Sequence, residues 1–242
     1  MEQQLFPEMK ELQCVHWWFT GRRKILTRCL ESLIGVQSRL NILDAGSGTG
    51  ANIDVLLAFG DVIALEPNAL AGDHIAHTTG VPVVQGTLPD IPFRLNSFDL
   101  IVALDVLEHV HDDQAAMIAL YEVLRPGGCV VLTVPAYSFM WSGHDIVHGH
   151  YRRYSRGEVS RRLKMAGFAI EFTTHFNSFL FPVVAVIRLA GRILSRSRRS
   201  QMKLPPRWLN SVLARIMSAE SLFIGRVPLP FGTSILATAR KD

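Results

Sequence analysis

The 242-residue sequence is poor in cysteine, poor in charge and without long apolar runs. Its three cysteines, Cys14, Cys29 and Cys129, are odd in number, and no pair has metal or redox spacing. That excludes a disulfide framework and a zinc ribbon and fits a reducing, cytoplasmic compartment. No apolar run approaches the ~18 residues of a spanning helix. The apolar stretch 176–187 has only twelve residues and contains Pro182. The opening "MEQQLFPEMKE" has no apolar core, so no signal peptide is expected. Internal repeats and low-complexity tracts are lacking as well. Charged residues are only 19% of the chain against 48% hydrophobic, the balance of a globular protein with a sizeable core.

The charge present is unevenly placed. Residues 186–226 hold eight Arg and one Lys against one Glu, a net of +8 in a chain of net +4, so the remainder carries −4. A basic segment on an acidic body predicts an anionic partner for that segment alone.

Short apolar runs alternate with helical stretches. The runs 40–45, 62–66, 81–86, 129–135, 168–175 and 233–241 read as strands, and 98–110 begins as one. The stretches 50–60 (closed by Gly60), 69–80, 112–128 (stopped by Pro126) and 156–167 read as helices. Continuous apolar strands between helices indicate an α/β fold with a mostly parallel, doubly wound sheet. Residues 1–37 read as a helical N-terminal lid containing "HWWFTGRR", and 176–230 as a helical insertion before the last strand. The body is then 38–175 with 231–242.

The first strand runs into "DAGSGTGAN". Glycines 46, 48 and 50 allow a sharp turn and close approach of a ligand, and the following helix offers free N–H groups. Glu66, at the end of the second strand, can accept from both hydroxyls of a ribose. The turn also fits a dinucleotide fingerprint. Against that, Asp44 stands two residues before the first glycine, where an apolar residue is usual, and there is no second glycine-rich turn. A carboxylate here suits a cationic ligand better than a pyrophosphate.

"LDAGSGTG", "ALEP", "FDLIVALDVLEHV", "LRPGG" and "LTVP" together resemble the successive motifs of class I S-adenosylmethionine-dependent methyltransferases, over roughly 40–175 and the last strand. The resemblance implies a seven-stranded sheet with an antiparallel final strand, and S-adenosyl-L-methionine as cofactor. It implies that Gly46, Ser47, Gly48 and Gly50 pack against the cofactor, with Asp44 near its ammonium. Glu66, followed by Pro67, would hold the ribose, and the turn with Thr87 and Leu88 would lie beside adenine. Many members have Asp where this chain has Thr87. Asp105, Val106 and His109 would lie near the methionine portion.

Methyl transfer needs an aligned acceptor and, for a hydroxyl or acid, a general base. "SGHDIVHGHYRRYS" (142–155) follows the fifth strand, beyond the carboxyl ends where open α/β sheets bind ligands. His150 ranks first as base, then His144 and His148, with Asp145 beside them. Arg152 and Arg153 are read as an anion clamp and Tyr151 as a substrate contact. Trp17, Trp18 and Arg22 are expected to cover the same pocket.

Asp105, Glu108 and His109 with a later histidine also resemble the metal site of two subfamilies, the small-RNA 2′-O-methyltransferases and the O-methyltransferases of ubiquinone synthesis. Asp105 replaces their Glu, and no metal is expected here. The insertion places Arg188, Arg192, Arg196 and Arg199 on one helical stripe beside apolar residues, with a second helix over 205–226. Such a stripe fits an anionic membrane surface, reached through 176–226. The aromatic residues are not interleaved for stacking, which sets nucleic acid aside. The expected enzyme methylates an O or N atom of an anionic small molecule, free or lipid-linked, from the cytoplasm or the inner membrane face. A metal-assisted O-methyltransferase and a non-catalytic cofactor-binding adaptor are the competing readings.

Overall fold

Each apolar run becomes a strand whose side chains divide strictly between two faces. In a computed structural model describing residues 12–34, 39–193 and 204–242, these are β1 (Leu40–Ala45), β2 (Gly60–Leu65), β3 (Val83–Val84), β4 (Phe98–Leu104), β5 (Leu124–Pro135), β6 (Ala169–Phe176) and β7 (Ser234–Arg240). Leu43, Ile101, Ala103, Val130 and Leu132 enter one core, and Ile42, Leu100, Val102 and Val131 the other. This period of two, with both faces apolar, is what helices on both sides of a sheet require.

The first face is covered by α4 (Asp113–Val123) and α6 (Arg156–Met165), through Met117, Leu120, Val159 and Leu163. The second is covered by α1 (Trp17–Ile34), α2 (Ile53–Leu57) and α3 (Ala69–Thr79), through Leu26, Leu30, Leu56 and Ile75. Each such buried side chain contributes about 1.5–3 kcal/mol. The strand order is β3-β2-β1-β4-β5-β7-β6, parallel except for β7, which runs antiparallel to β5 and β6. The doubly wound, seven-stranded, mostly parallel sheet expected from the sequence is therefore present.

Of the strand expected over 81–86 only Val83–Val84 pairs, and two helix ends also differ from the sequence reading. The helix expected over 50–60 is only the five residues of α2, because Gly60 opens β2 instead of closing a helix. A Cβ there would lie 2.0 Å from the Leu40 carbonyl oxygen, so the close pairing of β1 and β2 requires glycine. Helix α4 ends at Val123, not at Pro126. Leu124 is already extended and β5 begins there, and Pro126 keeps Arg125 extended after it.

Beyond β6, the insertion holds α7 (Phe181–Ile193) and α8 (Arg207–Ala219), the latter shorter than the 205–226 expected. Helix α8 lies on α1: the Asn210 side chain accepts from the Trp17 N–H (2.9 Å) and donates to the Val15 carbonyl (2.8 Å). A Cβ on Gly21 would meet Met217 at 2.7 Å, so the two helices touch closely. This half of the insertion is a cap on the N-terminal helix. Of the arginine stripe, Arg196 and Arg199 lie outside the described residues, as does the side chain of Arg192. Among the described residues no helix is long and apolar enough to cross a membrane.

Candidate active site

The carboxyl ends of β1, β2, β4 and β5 open into one cavity of about 910 Å³, roofed by α1, α7 and the loop after β5. That is within the ~300–1,000 Å³ range of small-molecule sites.

The floor is the glycine turn. Gly46, Gly48 and Gly50 all have left-handed φ, of 76°, 61° and 80°. Gly46 and Gly48 line the cavity with Ser47. Gly50 does not: its α-carbon faces Ile75, 3.0 Å from an added Cβ, so it seats α3 rather than a ligand. Glu66 is buried after β2, accepting from the Gly48 N–H (2.8 Å) and the Asn68 N–H (3.1 Å). Burial raises its pKa, against those two bonds. Pro67, Thr87 and Leu88 line the adjacent wall. Asp44 is buried behind the turn and not on the cavity surface. Its Oδ2 has no partner among the described residues, and burial pushes its carboxyl up to about 6.

Asp105 follows β4 with a φ of 56°, a strained conformation for a non-glycine residue. Its Oδ1 accepts from Thr133 (3.0 Å), and its Oδ2 is held by the Arg22 guanidinium. Arg22, expected to meet substrate, thus ties the N-terminal helix to the end of β4 and still lines the cavity. Val106 and His109 line the same wall. Glu108 is fully buried, and burial with the Asp105 charge holds its pKa well above the carboxylate range. Its Oε2 is likewise unpartnered among the described residues.

The loop histidines gather opposite, on and after the short helix α5 (Gly143–Val147). His109 and His150 meet edge to face at 4.7 Å, and His144 and His148 at 4.2 Å between ring centroids. Burial, then the His150 imidazole, lowers His109 to about 4. Burial, then His148 and Arg188, lowers His144 to about 3, and His148 is lowered by burial and His150. These rings are therefore neutral at physiological pH. His150 is oriented by a buried carboxylate: Asp145 Oδ1 lies 3.0 Å from its Nδ1. Asp145 is fully buried beneath the cavity and is not part of its surface. Burial alone would raise its carboxyl, but His150, Arg153 and the Ser142 backbone hold it well below the usual range. It fits an orienting role, not direct contact with substrate.

Arg152 and Arg153 do not form a free anion clamp. Arg152 lies outside the cavity, bonded to Asp113 (2.8 Å) and to the His111 carbonyl (2.6 Å). Arg153 reaches the cavity wall, yet its Nε donates to Asp145 (2.7 Å) and its Nη1 to the Ala136 carbonyl (3.0 Å). Tyr151 stands at the mouth, 56% exposed. Trp17 and Trp18 line the opposite side, Trp18 stacked on Phe176. The expected stripe is also broken at Arg188, which turns into the cavity instead of outward. Asn177, Thr233 and Ser234 line the site too, and no motif in the sequence singles them out.

Residues 43–132 match a family described as a methyltransferase domain. A chain from Mycolicibacterium smegmatis, named a probable S-adenosylmethionine-dependent methyltransferase, is 27% identical over 162 residues, 65% of this chain and 62% of its own length. The chain spans about 60% of the length of the curated relatives it matches first. Among solved structures, a chain from the complex of the Haloferax volcanii Trm112 methyltransferase activator with a methyltransferase superposes with a TM-score of 0.65 at 16% identity, over 99% of this chain and 95% of that one. The Burkholderia thailandensis 1,6-didemethyltoxoflavin-N1-methyltransferase, with 1,6-didemethyltoxoflavin and S-adenosylhomocysteine bound, superposes at 0.60 and 15% identity, over 99% and 84%.

Proposed function

We propose that this chain, which belongs to the class I S-adenosylmethionine-dependent methyltransferases, methylates an O or N atom of an anionic small molecule, free or lipid-linked. The observation that carries the reading is one cavity with a ribose-type acceptor at one end and an oriented histidine at the other. The residues fit the cofactor: Glu66 has lone pairs left for a diol, and Asp44 Oδ2 is a buried, unpartnered carboxylate oxygen behind the turn. Glu66 takes the ribose, Gly46, Ser47 and Gly48 present backbone, Thr87 and Leu88 flank the base, and Asp105 and Val106 border the methionine end. Bound S-adenosylmethionine supplies an electrophilic methyl on a sulfonium. The chain's part is to align the acceptor and accept its proton. His150 does the latter through Nε2, since Asp145 fixes Nδ1 as the protonated nitrogen and steadies the imidazolium that forms. The Arg22–Asp105 pair holds α1 over the site and excludes water.

Labelled methyl groups from S-adenosylmethionine should enter a bacterial extract with the wild-type protein and not with Glu66→Ala. Label in the lipid phase identifies a lipid-linked acceptor, and label in the aqueous phase a soluble one. No label above the Glu66→Ala background contradicts the reading and favours an adaptor.

A metal-assisted O-methyltransferase has one observation in its favour. Glu108, His109 and His150 offer ligand atoms that lie within 4.8 Å of one another, although Asp105 is engaged by Arg22. There His150 would be a ligand rather than a base. Activity that survives exhaustive EDTA removes this alternative.

The membrane reading of the insertion rests on the outer side of α7, where Val183, Val186 and Ile187 are each at least 60% exposed. Sedimentation with anionic vesicles at low salt, released at high salt, is the expected behaviour.

A further inference from the structure

Four arginines border the cavity or its loop, and three are matched by a carboxylate within hydrogen-bond distance. Arg22 meets Asp105, Arg152 meets Asp113 and Arg153 meets Asp145. Arg188 is different. Among the described residues its guanidinium donates one long hydrogen bond, 3.3 Å, to the Met140 carbonyl. Its nearest carboxylate oxygen, Asp145 Oδ2, is 3.9 Å away and already accepts from the Ser142 backbone and hydroxyl. The side chain is only 24% exposed, and it lines the cavity. A guanidinium held this dry and this poorly paired is a destabilising arrangement unless a ligand supplies the missing anion. Burial correspondingly pulls its pKa down to about 10, with Arg153 adding to the effect.

The neighbouring wall limits what that ligand is. Trp17, Ile146, Val147 and Val184 line the cavity with Arg188. Val184 stands one helical turn from Arg188, and apolar and aromatic surface in a cavity with one under-paired cation matches an amphipathic acid, not a polyanion. The position also bears on the reaction. Asp145 lies within 3.0 Å of His150 and 3.9 Å of Arg188, so the anion and the base are one side chain apart.

We propose that Arg188, carried by the insertion helix, is the anion clamp of the acceptor site, binding the carboxylate or phosphate of an amphipathic acid whose apolar body lies against Trp17 and Val184. This rests on the methyltransferase reading and assigns its substrate class. The acid group is then close, in the acceptor, to the atom that receives the methyl. The insertion that roofs the domain is what selects the substrate.

Titrations of dodecanoate, dodecyl phosphate and dodecanol, followed by tryptophan fluorescence, test this with and without saturating S-adenosylhomocysteine. The wild type should bind at least one acid about tenfold or more tightly than the alcohol, the scale of one hydrogen bond to a charged group. Arg188→Gln should lose that difference and keep its weak affinity for dodecanol, whereas Arg188→Lys should retain part of it. The tighter acid identifies the head group, carboxylate or phosphate. Equal binding of acid and alcohol by the wild type, absence of acid binding, or full acid affinity in a folded Arg188→Gln protein would overturn the clamp. Unchanged affinity of Arg188→Gln for S-adenosylhomocysteine shows that the variant is folded. A wild type that binds the acids but not S-adenosylhomocysteine refutes the methyltransferase reading and leaves the clamp standing.

Discussion

At the scale of single residues, function and stability pull against each other at Asp44. Its carboxyl titrates near 6 because it is buried. In the unfolded chain it titrates near 4. The folded state therefore holds a proton between those values that the unfolded state has lost, and Asp44 costs stability as pH rises through that window, on the order of 3 kcal/mol at neutral pH. Its anion is also what would attract the cofactor's ammonium. Cofactor affinity should accordingly rise from pH 5 to 7 and then level off, while Asp44→Asn should bind weakly at every pH and melt higher than wild type at pH 7.5 without ligand. Calorimetric titration and differential scanning fluorimetry read the two effects, and a flat wild-type affinity profile contradicts the first. His150→Gln should lower kcat roughly 100-fold, the size of a lost general base, with S-adenosylhomocysteine affinity unchanged. Equal turnover would remove His150 from the chemistry. The histidine loop and the glycine turn were legible because their chemistry is local in sequence. The clamp was not. Arg152 and Arg153 read as free cations until the fold brings Asp113 and Asp145 to them, and Arg188 read as surface until α7 turned it inward.

At the scale of elements, strands were legible because both faces of each are apolar, and helices because caps and breakers bracket them. Asn68 and Ser155 cap α3 and α6, and Gly80 closes α3 in a left-handed conformation. Where local signals failed, a distant contact decided. Gly60 reads as a helix stop, but the Leu40 carbonyl beside it makes it a strand residue. Gly60→Ala should yield little soluble protein, and normal yield and melting would contradict that close approach. The α1–α8 contact had no sequence signal, since Asn210 and Trp17 are 193 residues apart. Asn210→Ala strips the first N–H of α1 and the Val15 carbonyl of their partner, at a cost of about 1 kcal/mol, or a melting temperature lower by roughly 2–4 °C. An unchanged melting temperature would mean that α8 does not hold the lid helix.

At the scale of the whole molecule, the apolar alternation indicated a doubly wound sheet, and only the resemblance supplied the antiparallel β7. The order β3-β2-β1-β4-β5-β7-β6 places the turn after β1 and the residues after β4 side by side, so Glu66, Asp105 and the loop after β5 converge although His150 lies 84 positions after Glu66. The insertion is part of this site as well as of the surface, contributing Asn177, Val184 and Arg188. The central claim is that this convergence forms a cofactor site reached through Glu66. Isothermal titration of S-adenosylhomocysteine into the wild type and Glu66→Ala at pH 7.5 tests it most directly. We predict one site per chain in the wild type and an affinity at least about tenfold weaker in Glu66→Ala, the loss of hydrogen bonds to a charged acceptor. No binding by the folded wild type, or equal binding by the two proteins, would contradict it.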